Sequence, residues 1–148
     1  MIDFNPTSLR SEAPSRVYAQ VEKLDEDAFA ELMEDPAARG PVIDALVAHF
    51  AGTYRGDEDV EAVIHIKLWD KPGGGYDHRE LVLSGGRCTA TAEPEHDDAR
   101  LTLKVRPTDL RKIVSGAAGP RRLALKGRLR VLGDVRFGMK LQELFDLG

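Results

Sequence analysis

A chain of 148 residues with 42% hydrophobic and 31% charged residues, 14 Gly, 8 Pro and a single Cys has the balance of one soluble globular domain, which excludes a disordered, collagenous or disulfide-stapled chain. At this length about 68–70% of the unfolded surface is buried, enough for one core with room to enclose a small ligand. The formal net charge of −4 hides a polarity, since residues 1–60 hold 5 Lys+Arg against 13 Asp+Glu whereas residues 99–148 hold 12 against 4. Such asymmetry marks either an anion-binding face or segments that neutralise each other across one fold.

Residues 1–24, with Pro6 and Pro14 and no sustained period, are expected to form an irregular arm. Asp25 is placed to cap a helix running to about Glu34, with Leu24 and Phe29 spaced as a hydrophobic staple. Pro41 opens a second helix in which Val42, Leu46, His49 and Phe50 share a face, closing near Gly52. After Val60 the period falls to two: Ala62, Ile64, Ile66 and Leu68 alternate with Val63, His65, Lys67 and Trp69. The glycine-rich loop 70–77 turns the chain into a strand at 78–84 carrying Leu81 and Leu83 on one face, and Gly85-Gly86 predicts a tight hairpin into a third strand to Ala92. A fourth strand follows at 101–105, so that these four look antiparallel. Pro107 to Ser115 reads as a helix ended by Gly116, 126–132 as a fifth strand, and Gly133-Asp134 as the cap of one terminal helix. That helix has two apolar faces: Phe137, Leu141, Leu144 and Phe145 on one side, Val135 and Met139 about half a turn away. The order predicts an α+β fold, a five-stranded mostly antiparallel sheet with one face covered by helices.

Local signatures of nucleotide, hydrolase and zinc chemistry do not occur, and Gly73-Gly74-Gly75 lies between strands, where a turn explains it better than a phosphate cradle. The four histidines lie on separate elements, so no metal site is expected; His65 and His78 are expected as an exposed pair on the polar face of the sheet. Glu93, Glu95, Asp97 and Asp98 are expected to be solvated, and Cys88 to fill core. No catalytic residue and no cofactor are assigned. The N-terminal residues do not form the continuous apolar run of a signal peptide, and the C-terminus lacks a peroxisomal Ser-Lys-Leu, which together suggest a cytoplasmic protein.

The strand at 99–105, the helix containing Asp109-Leu110-Arg111-Lys112-Ile113-Val114-Ser115-Gly116, the strand Gly127-Arg128-Leu129-Arg130-Val131-Leu132-Gly133-Asp134 and Met139-Lys140-Leu141 come in an order and spacing that resemble the C-terminal half of the sterol carrier protein type two family. The resemblance covers about Pro41 to Leu147. It divides the chain into a 1–40 N-terminal extension, an irregular arm plus a short helix, and a 41–148 sterol-carrier-like lipid-binding domain. It implies a hydrophobic tunnel between sheet and helices that holds fatty acids, fatty acyl-CoA, sterols or phospholipids, in a family whose members bind and transfer lipids without catalysing a reaction. On this reading Leu110, Ile113, Met139, Leu141, Leu144 and Phe145 line or close the tunnel, and Ile64, Ile66, Leu81, Leu83, Leu101, Leu103 and Leu129 form its floor.

Burying ten methylenes of an acyl chain would contribute about 8 kcal/mol gross, before an immobilisation cost of several kcal/mol. Arg106, Arg111, Lys112, Arg121, Arg122, Lys126 and Arg128 stand ready for an anionic head group or a transient contact with an anionic membrane. The alternative is a homodimeric interaction module with a collapsed tunnel and a seam at Val135 and Met139. Nucleic acid is not expected as a partner, because the basic third lacks interleaved aromatics to stack bases.

Overall fold

The computed structural model describes residues 13–147. The first of its helices, α1 (Pro14–Val21), corrects the expectation of an irregular arm over the described part of 1–24; residues 1–12 lie outside the described residues. Pro14 stands at the start, where its missing N–H costs nothing, and Val17, Tyr18 and Val21 bury one short face. In α2 (Glu26–Met33) the Asp25 carboxylate accepts from the Ala28 N–H at 2.7 Å, as the capping pattern predicts. The next helix, α3 (Pro36–Gly52), begins earlier than Pro41, with Asp35 accepting from the Ala37 N–H at 3.0 Å. Pro41 therefore sits inside a helix. Burial of Ala38, Val42, Ile43, Ala45, Leu46, Val47 and Phe50 around most of the circumference outweighs the backbone bond that proline removes.

The strands are β1 (Ala62–Leu68), β2 (Asp77–Ser84), β3 (Arg87–Thr91), β4 (Leu101–Val105) and β5 (Leu129–Gly133), in the order β3-β2-β1-β4-β5. Three pairings are antiparallel, but β1 and β4 run parallel, with Ile64 beside Leu101 and Ile66 beside Leu103. The sheet is thus mixed, where its first four strands looked antiparallel. Alternation determines which side chains face the core and says nothing of which strand lies alongside; here the β2–β3 hairpin and the loop at 92–100 supply the long connection a parallel pair needs. The hairpin turn is Gly85-Gly86, both at positive φ (61° and 79°), as expected.

Helices α4 (Pro107–Ser115), α5 (Pro120–Leu125), α6 (Val135–Met139) and α7 (Leu141–Leu144) complete the chain. The single terminal helix expected after Asp134 is two short ones, with Lys140 between them. All helices lie on the side of the sheet that carries Ile64, Ile66, Leu81, Leu83, Leu101, Leu103 and Leu129, and these join Phe29, Leu46, Phe50, Leu110 and Phe145 in one core. Arg39, 2% exposed, ties α3 to the β1–β2 hairpin: it donates to Asp77 (2.5 Å) and to the carbonyls of Trp69 (2.5 Å), Asp70 (3.1 Å) and Met33 (3.3 Å). Its charge is buried, and four of its five N–H groups have an acceptor, one of them a carboxylate.

Candidate functional site

At the β5 edge the helical layer thins to short pieces, and an apolar groove of about 220 Å³ opens there. Leu129 and Val131 of β5 form its floor. Pro120, Arg121 and Ala124 of α5 form one wall, and Val135, Gly138, Met139, Leu141 and Gln142 form the other. Gly138 sets the depth: a Cβ there would stand 3.0 Å from Val131 and 3.3 Å from Leu101, so its absence lets α6 close on the sheet. Asp134 holds the start of α6, accepting from the Phe137 N–H (3.1 Å) and Arg100 Nε (3.1 Å), which together hold its carboxyl below the usual range. The far end is clamped to the residues after α3: the Arg55 N–H donates to the Leu144 carbonyl (2.7 Å) and the Asp146 N–H to the Thr53 carbonyl (2.8 Å). Val135 and Met139, at 61% and 66% exposure, form the lip.

Of the residues singled out from sequence, Leu129, Met139 and Leu141 line this groove. Ile64, Ile66, Leu81, Leu83, Leu101, Leu103, Leu110, Ile113 and Phe145 lie in the packed core, and Leu144 packs against it. Phe145 packs against Phe50 with the rings tilted at 45° (centroids 4.6 Å apart) and meets Tyr54 edge-on (5.3 Å). Sequence reasoning did not assign Val131, Ala124, Gly138 or Gln142 to a site and placed Val135 only in the seam of the alternative homodimer; the signal that pointed there was the second apolar face of the terminal helix. Of the cations, Arg106 pairs with Asp70 (2.9 Å), Lys112 with Glu26 (2.9 Å) and Arg128 with Asp109 (3.6 Å), and Arg111 donates to the carbonyls of Val21 and Leu24. These serve the fold. Arg121, Arg122 and Lys126 have no carboxylate within 4.0 Å among the described residues.

The opposite face of the sheet carries a polar cluster. His65 is buried, not exposed as expected: its Nε2 lies 2.9 Å from Glu80, itself fully buried, and its ring meets His78 edge-on at 4.5 Å. The loop after β3 covers the pair, with the N–H groups of Glu95 (3.2 Å) and His96 (3.0 Å) and His96 Nδ1 (3.0 Å) all directed at Glu80. Burial pushes the Glu80 carboxyl up, but the bonds from His96, His65 and the two backbone N–H groups outweigh it and hold the group at about 2. A carboxylate accepts only, so each imidazole nitrogen facing it carries a proton. Glu93, Glu95, Asp97 and Asp98 are exposed. No group of three or more metal-ligating side chains is assembled among the described residues.

The arrangement is that of an α+β domain with a helix-lipped apolar groove at a sheet edge. Residues 57–146 match the model of the SCP-2 sterol transfer family, and the chain belongs to that family of lipid-binding domains. Among solved structures it is similar to apo sterol carrier protein 2 from Yarrowia lipolytica (27% identity, 54% of this chain and 60% of that one, TM-score 0.43). It is also similar to palmitated SCP2L2 from Aedes aegypti (16%, 66% and 88%, 0.52). A third likeness is to the inverting sec-alkylsulfatase Pisa1 from Pseudomonas sp. (13%, 97% and 33%, 0.53), of which this chain spans one third. The last two share the fold. No curated protein matches the chain. No helix among the described residues is long and apolar enough to cross a membrane.

Proposed function

We propose that the protein binds one acyl chain of a fatty acid or another single-chain lipid in the β5-edge groove, and carries it without catalysing a reaction. The observation that carries this reading is the groove itself: an apolar floor and walls, with Arg121 and Gln142 as the polar side chains on its lining. Arg121 suits an anionic head group, and Gln142 adds hydrogen-bonding capacity; neither is a nucleophile or a proton-transfer group at neutral pH. At 220 Å³ the groove falls short of the roughly 300–1,000 Å³ of pockets for drug-sized ligands, which favours a single chain over a sterol. Counting roughly 30 Å³ per methylene, about that of a water molecule, it takes some seven methylenes, worth about 6 kcal/mol gross. That is less than the ten methylenes of a tunnel, so the head-group contact carries a larger share of the affinity. Family membership and the palmitated state of the Aedes aegypti protein support the reading. A cytoplasmic setting and acyl-CoA as one ligand belong to the same proposal.

A fluorescent fatty acid titrated into the protein is expected to bind with one-to-one stoichiometry and to be displaced by unlabelled acyl chains. Ala124→Trp, which projects an indole from α5 into the groove, is expected to weaken uptake at least tenfold without unfolding the domain. Failure of all fatty acids to bind, or unchanged uptake by the tryptophan variant, would overturn the assignment. The homodimer alternative predicts a concentration-dependent mass with no uptake.

A further inference from the structure

The exposed large hydrophobic side chains among the described residues are Tyr76, Leu125, Leu132, Val135 and Met139, and all but Tyr76 fall within 125–139. Leu125, 85% exposed, ends α5 on one side of the groove; Val135 and Met139 stand on the other. Each apolar point sits among cations. Arg121, Arg122 and Lys126 flank Leu125, and Arg136 and Lys140 flank Val135 and Met139. None of these five has a carboxylate within 4.0 Å among the described residues. Between 120 and 142 the one acidic residue is Asp134, already engaged by Arg100 and the Phe137 N–H.

We infer that the two lips of the groove form a docking surface for an anionic lipid bilayer. Guanidinium and ammonium groups meet lipid phosphates while Leu125, Val135 and Met139 enter the boundary between head groups and acyl chains. An acidic protein would satisfy the cations, but it offers no general reason for a leucine at 85% exposure within the cationic rim. A bilayer accounts for both. The inference rests on the groove reading for its purpose, since a mouth held against a membrane lets a chain enter without crossing water, but its test is independent of that reading.

Cosedimentation with vesicles of phosphatidylcholine mixed with phosphatidylglycerol, against phosphatidylcholine alone, is the measurement. The protein is expected to sediment with the mixed vesicles only, and less as salt rises. The double variant Leu125→Asp/Lys126→Glu, which alters no groove-lining residue, is expected to lose at least tenfold in partitioning, given roughly a fivefold effect for each surface cation. Its uptake of a fluorescent fatty acid in vesicle-free solution should be unchanged, which also reports an intact fold. Equal binding to both vesicle types, no binding to either, or full binding by the double variant would overturn the inference, as would capture by a polyglutamate peptide in place of vesicles. Selective, variant-sensitive vesicle binding without fatty acid uptake would sustain the docking surface and overturn the groove reading alone.

Discussion

Replacing Glu80 by Gln keeps the shape of the side chain and removes its charge at a fully buried position. The four donors directed at Glu80, from His65, His96 twice and Glu95, would then face one carbonyl oxygen and one NH₂ group, so at least one donor loses its acceptor. A carboxyl held at about 2 against an ordinary 4.5 corresponds to about 3 kcal/mol of pH-linked stability. Water lies only one loop away and screens part of that, so about 2 kcal/mol is the expected loss at neutral pH. For a chain of this length the loss lowers Tm by roughly 4–8 °C.

The pH profile separates this cause from a simple packing defect. Because the folded-state pKa is depressed, the contribution is present in full above the unfolded value and is lost as pH falls toward about 2. The stability difference between the native protein and Glu80→Gln should therefore rise slightly as pH falls through the range in which His96 takes up its proton, level off near about pH 5, and shrink steadily below that. Urea unfolding followed by circular dichroism at a series of pH values measures it. A difference that does not change between about pH 7 and about pH 3, or one below about 0.5 kcal/mol at neutral pH, would refute the reasoning.

His96 has the opposite sign: its bond to Glu80 raises its pKa, so its charge-assisted contribution is present below the ordinary histidine value and declines as pH rises through the raised one. His96→Ala should accordingly destabilise more at about pH 5.5 than at about pH 9, measured by the same unfolding curves. At Gly133 the backbone φ is +101° and a Cβ would lie 2.6 Å from the Arg100 carbonyl oxygen, so Gly133→Ala should cost at least about 2 kcal/mol by chemical denaturation. In hydrogen exchange, amides of α5, α6 and α7 should exchange faster than those of β1 and β2, because these helices are short and lie beside the open groove.

The features legible in the sequence were those written in local periods and caps. Ile64, Ile66 and Leu68 alternate, and they form the central strand; Asp25 stands where a cap belongs, and it caps. The position of β4 beside β1 was not legible, since Leu101 and Leu103 show the same alternation whichever neighbour they have. Nor was α1, whose Val17, Tyr18 and Val21 are too few to define a period and whose preceding Ala13 provides no side-chain cap. Glu80 falls on the polar face by the alternation of Leu81 and Leu83, and what buries it is a loop ten and more residues further on, a long-range contact that no local pattern encodes. The groove was half legible. The second apolar face at Val135 and Met139 announced something beyond core packing, but Val131 and Ala124 become lining residues only once α5 is laid along β5.

These placements share one physical logic. The centre of the sheet is secured twice: on the helical face by a core containing Phe29, Leu46, Phe50 and Phe145, and on the opposite face by the Glu80 cluster under its loop. Arg39 and the Arg55–Leu144 and Asp146–Thr53 bonds fasten the remaining ends. With stability concentrated there, the β5 edge can leave Val135 and Met139 exposed at a cost of about 1–3 kcal/mol each in burial not gained. The charge asymmetry of the sequence fits the same division. Asp70 and Glu26 of the first half neutralise Arg106 and Lys112, Asp109 neutralises Arg128, and Arg121, Arg122, Lys126, Arg136 and Lys140, with no carboxylate within 4.0 Å among the described residues, lie in the segments that border the groove.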